Sequence, residues 1–114
     1  MIESAENTVV LSVVSVLEIA IKASIGKLQL PEPAEDFVFS QMAALSMTSL
    51  PVNLSHAVRV GRLPHHHRDP FDRLLIAQCQ IERLPLMTAD EALVEYDVEL
   101  IWAGRGEPPQ RKPN

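Results

Sequence analysis

At 114 residues the chain suits one domain, and a 46% apolar composition supplies enough side chains for a core. Ten Lys and Arg against fifteen Asp and Glu leave a formal net charge of −5, which excludes a protein that coats nucleic acid through overall basicity. The lone cysteine, Cys79, excludes a disulfide framework and a cysteine-based zinc site, and points to a reducing cytoplasm.

In chain order, residues 1–6 are acidic and carry no basic segment of the kind that opens a secretory signal. Val9-Val10-Leu11-Ser12-Val13-Val14 is a β-branched run of buried-strand type. Ser15 then reads as the N-cap of a helix with Glu18 at its third position, a capping box. That helix is predicted to run to about Ser24 and to end at Gly26. The apolar stretch 8–23 is broken by Ser12, Ser15, Glu18 and Lys22, so it cannot span a membrane. Residues 34–45 read as a second helix, with Phe37, Val38, Met42 and Leu45 as its apolar stripe. Residues 47–52 read as a short strand, and Pro51 assigns it to a sheet edge because proline cannot donate to a ladder. Asn53 or Ser55 caps a helix to about Leu63, with Ala57, Val58 and Leu63 turned inward.

Pro64-His65-His66-His67-Arg68 reads as a solvated loop; adjacent histidines point in different directions and rarely share one metal ion. Asp69-Pro70-Phe71-Asp72 then opens the longest helix, predicted to about Arg83. Asp69 is its N-cap, Pro70 its first residue and Asp72 its third. Leu74, Leu75, Ile76, Cys79 and Ile81 give this helix a broad apolar face, with Cys79 a small buried hydrophobe. Residues 84–88 form a strand, Thr88-Ala89-Asp90-Glu91 opens a helix to about Tyr96, and 98–102 form the last strand. Residues 104–114 are polar and proline-rich and read as a disordered tail to a 1–103 domain. Alternating strands and helices imply a largely parallel sheet, in which ligands bind beyond the carboxyl ends of the strands.

Glu18, Asp69, Asp72 and Asp90 all lie near helix starts. Capping, which stabilises a helix start by roughly 0.3–1 kcal/mol, is the ordinary reading of any one of them alone. But Glu18 sits among apolar neighbours Leu17, Ile19 and Ile21 and calls for a partner. Asp90 is not needed for the Thr88–Glu91 capping box, which leaves its role open. Gathered in one cleft they would repel one another, and a hard divalent cation such as Mg²⁺ or Mn²⁺ would offset that cost. Lys22, Arg68 and Arg73 flank the same positions in sequence and are candidates to meet substrate phosphates. Lys22 is also placed for an ordinary ion pair with Glu18, four residues earlier.

Three segments together resemble the PIN-domain family and, within it, the VapC-like toxins of type II toxin–antitoxin pairs. They are Leu11-Ser-Val-Val-Ser-Val-Leu-Glu-Ile-Ala-Ile-Lys22 with Gly26-Lys-Leu, then Leu63-Pro-His-His-His-Arg-Asp-Pro-Phe-Asp-Arg-Leu-Leu-Ile-Ala-Gln78, then Leu84-Pro-Leu-Met-Thr-Ala-Asp90. The resemblance implies a three-layer α/β/α domain and a Mg²⁺- or Mn²⁺-dependent endoribonuclease. Glu18, Asp72 and Asp90 match the family's catalytic, metal-holding acids, and Asp69 either assists them or only caps. A VapB-like antitoxin, an RNA substrate and a homodimer are the implied partners, with no membrane involved.

The pattern departs from the family at one place. Members begin with a strand ending in an aspartate, and here the first strand-like run already leads to Glu18. The central strand of the sheet, between those at Val9 and Leu86, is therefore expected to be missing, leaving unpaired backbone. An upstream start, a fragment and a degenerate toxin all fit that departure. The last would be an inactive remnant that binds an antitoxin or a second copy.

Overall fold

The computed structural model describes residues 2–3, 9–65, 69–88, 93, 95–103, 106–107 and 110. Five short strands form one sheet: β1 (Ile2–Glu3), β2 (Val9–Ser12), β3 (Thr48–Leu50), β4 (Leu86–Thr88) and β5 (Leu100–Trp102). Among the described residues four helices accompany them: α1 (Val13–Ser24), α2 (Ala34–Ala44), α3 (Leu54–Arg59) and α4 (Pro70–Glu82). A 3₁₀ turn, Val60–Arg62, continues α3.

The strand order is β3-β2-β1-β4-β5. β2 pairs parallel with β3, and β4 parallel with β5. β1 pairs antiparallel with both β2 and β4, through Ile2 opposite Val10 and Leu86 and Glu3 opposite Val9. Four strands therefore share one direction, as the βα alternation implies, and β3 lies at the edge, where Pro51 follows it. The expected central gap is corrected. Two residues of the chain's own N-terminal segment occupy it, reversed, and satisfy backbone groups that would otherwise lack partners.

The first helix begins earlier than its sequence suggests. Ser12, in extended conformation, is the N-cap, and its Oγ accepts from the Val14 N–H. Ser15 is therefore inside α1, and Glu18 sits in its second turn rather than at a cap position. Gly26 ends the helix as expected, with φ of +76°, a conformation glycine adopts without a Cβ clash. α3 is rolled differently from expectation. His56 is fully buried while Ala57 and Val58 face out, because His56 completes the Asn53 capping box and reaches α4. Leu45 is likewise exposed, and Val38 is the buried residue of α2.

α4 packs against α1, α3 and β4. Its inner face, Ile76, Ala77 and Cys79, meets Leu63, Leu86, Leu93 and Tyr96 in the main core. Burial of Cys79 pushes its thiol up to about 12. The expected helix after Thr88 and the tail 104–114 fall largely outside the described residues. Among the described residues no helix is long and apolar enough to cross a membrane.

Candidate metal centre

α4 starts as its sequence dictates. Asp69 is the N-cap, its Oδ1 accepting from the N–H groups of Phe71 (2.9 Å) and Asp72 (3.4 Å), and Pro70 is the first helical residue. Proline has no N–H to lose there and its φ is already helical. Asp72 is thereby held in the first turn. Glu18 reaches the same place from the second turn of α1. One oxygen from each of Glu18, Asp69 and Asp72 lies within 4.8 Å of the others, and all three residues are half-buried.

Three carboxylates form a set of hard oxygen donors. With each oxygen within 4.8 Å of the other two, all three are near enough to be offered to a single hard cation. The donor set thus fits Mg²⁺ or Mn²⁺, with water completing the shell. Because Glu18 is not a capping residue, its half-buried charge is not explained by the helix start.

A cleft of about 470 Å³ runs beside the cluster, lined by Glu18, Ile21, Lys22, Ile25, Lys27, Asp69, Pro70 and Phe71. Lys22 is half-exposed and pairs with Glu18 at 3.5 Å, the i,i+4 contact its spacing allows. Lys27 was not among the candidates from sequence. It follows Gly26, so the left-handed turn that ends α1 turns the chain toward the cleft, and only that glycine hinted at it.

Arg73 is corrected. Expected at the cleft as a substrate-binding cation, it is 7% exposed and does not line the cleft beside the acidic cluster. Its guanidinium donates to the carbonyls of Pro64 (2.8 Å), Val60 (3.0 Å) and Leu63 (3.3 Å) and to the Tyr96 hydroxyl (3.3 Å). A planar fork with five donors suits that task. Asp90 and Arg68 lie outside the described residues, as do His66 and His67; His65 is exposed.

Compared with known protein families, residues 1–99 match the PIN domain. No curated protein and no solved structure matches the chain. PIN domains are typically metal-dependent nucleases that bind divalent ions, the chemistry for which the Glu18–Asp69–Asp72 donor set is suited. With residues 1–99 of 114 matched, and with a mixed α/β fold consistent with that match, the chain belongs to the PIN domain family.

Proposed function

We propose that the chain is a Mg²⁺- or Mn²⁺-dependent endoribonuclease cleaving RNA phosphodiesters, the toxin of a type II toxin–antitoxin pair. One observation carries the reading. In a PIN domain, Glu18 and Asp69 of the acidic cluster line the same cleft as Lys22 and Lys27. Glu18, Asp72 and Asp90 would hold the ion with Asp69 beside them; Asp90 follows β4 by two residues in sequence. When bound, the cation supplies an acidified water and charge neutralisation at the phosphate.

The chain's own residues do the rest. Asp69 fixes the first turn of α4, which limits where the Asp72 carboxylate can go. Lys22, drawn to Glu18, and Lys27 across the cleft offer ammonium groups to the phosphates flanking the scissile bond. Arg68 is kept as a further phosphate contact. A local basic pair within a net acidic chain suits a nuclease that recognises RNA at one site only.

A VapB-like antitoxin and a homodimer are the proposed partners, in the cytoplasm, where Cys79 stays a thiol. The apolar side chains Val13, Leu17 and Ile21 are exposed along α1, as is Ile25 just past its end. A groove of about 390 Å³ between α1 and α2 is lined by Val13, Val16, Val38, Phe39 and Met42. These surfaces also support a second reading, a PIN module that binds its partner without cleaving RNA.

The test is cleavage of structured RNA with Mg²⁺, with and without EDTA, for the wild type and for Asp72→Asn and Asp90→Asn. Cleavage by the wild type, lost with EDTA and in both variants, is expected. Cleavage that survives EDTA and Asp72→Asn rejects the mechanism. Absence of cleavage by a chain that still binds its antitoxin favours the second reading.

A further inference from the structure

Glu18 and Asp72 sit on different helices, so their spacing depends on how α1 lies along α4. A buried polar contact joins the start of α1 to α4. The Ser12 Oγ–H donates to Gln78 Oε1, and both side chains are fully buried. The Gln78 amide nitrogen donates to the Pro51 carbonyl at 3.2 Å and lies 3.4 Å from His56 Nδ1, which accepts from the Asn53 N–H at 3.0 Å. His56 Nε2 faces Glu82 Oε2 at 3.2 Å. The glutamine is thus held by β2, by the segment after β3 and by α3, and its geometry is determined from three sides.

Glu18 stands six residues after Ser12, and Asp72 stands six residues before Gln78, about 9 Å of helix in each case. The two helices therefore run antiparallel, with the Ser12–Gln78 contact at one end of their crossing and the acidic cluster at the other. Interdigitated apolar side chains limit the register to a few alignments, and a buried hydroxyl and amide select among these the one that pairs them, since any other leaves both unsatisfied. We propose that Ser12 and Gln78 are positioning residues for the metal centre: their hydrogen bond holds α1 and α4 in the register that brings Glu18 to Asp72. The inference rests on the metal-centre reading of the cluster.

The test is Mn²⁺ affinity by calorimetry, at a temperature where circular dichroism shows each variant folded. Asp72→Asn tests the centre itself. Gln78→Met keeps length and removes both hydrogen bonds, and Ile76→Val is a control that loosens the same helix without touching the register contact. Gln78→Met should weaken Mn²⁺ binding at least tenfold, with Ile76→Val within twofold of wild type. Should Gln78→Met not fold, Ser12→Ala carries the same expectation, and Ser12→Thr, which keeps the hydroxyl, should restore affinity. If the wild type binds Mn²⁺ and Asp72→Asn does not, yet the register variants match the wild type, the positioning role is overturned and the centre stands. If wild type and Asp72→Asn bind alike, the centre itself is wrong, and this inference goes with it.

Discussion

Arg73 offers the sharpest separation between a substrate-binding and a structural cation. Arg73→Met removes a guanidinium that is 7% exposed and bonded to three loop carbonyls and the Tyr96 hydroxyl. The methionine fills much of the stem's volume, so the loss is mainly polar. A buried acceptor left without its donor costs about 1–3 kcal/mol, and with several neutral acceptors losing theirs, some of them only partly buried, the total loss is about 3–5 kcal/mol. A domain of this size loses about 4 °C in Tm per kcal/mol. The expected fall is then ~12–20 °C, read by thermal unfolding followed by circular dichroism. Arg73→Lys should fall by an intermediate amount, since one ammonium cannot span Val60, Leu63 and Pro64 together. The reasoning is refuted if Arg73→Met keeps its Tm within 2 °C while RNA affinity collapses, for then the side chain must reach the cleft.

Three further predictions follow from the same geometry. Asn caps a helix as well as Asp does, so Asp69→Asn should leave stability within ~0.5 kcal/mol. A clear loss of Mn²⁺ affinity in that variant would make Asp69 a ligand as well as a cap, and unchanged affinity would leave it only a cap. Lys27→Ala should leave Tm unchanged, weaken RNA binding severalfold and reduce the salt dependence of that binding by about one phosphate contact. An unaltered salt slope would remove Lys27 from the interface. The thiol of Cys79 ionises near 9.0 in an open chain and only near about 12 when buried. Between those values the unfolded chain gives up its proton and the folded chain does not. Stability is thus complete below about pH 9 and falls, by up to ~4 kcal/mol, as pH rises toward 12. Urea unfolding at pH 8, 10 and 11 measures the slope, and Cys79→Ala should flatten it; an equal slope in that variant would place its source elsewhere.

Features of this protein that depend on neighbours along the chain were legible from sequence. The start of α4 is one: Asp69, Pro70 and Asp72 satisfy or replace backbone donors within the same turn, and no distant residue is needed. The turn at Gly26 has the same local origin, whereas the edge position of β3 and the common direction of β2 to β5 are tertiary features that Pro51 and the βα alternation could only point to, by restricting how strands can pair. The acidic cluster was legible only in part. The residue types were visible, but which oxygens approach one another depends on the crossing of α1 and α4, and that rests on a contact between positions 12 and 78. Helix roll was equally hidden. Arg73 turns inward because carbonyls at 60, 63 and 64 and a hydroxyl at 96 converge there, and His56 because Glu82 and Gln78 wait across the gap. The centre of the sheet follows the same rule, since Ile2–Glu3 acquires a place only when β2 and β4 each offer an unpaired edge. Hydrogen bonds within one turn are set by a few consecutive residues. Those between distant segments exist only after the chain has brought them together, and in this protein they decide which charges face the cleft.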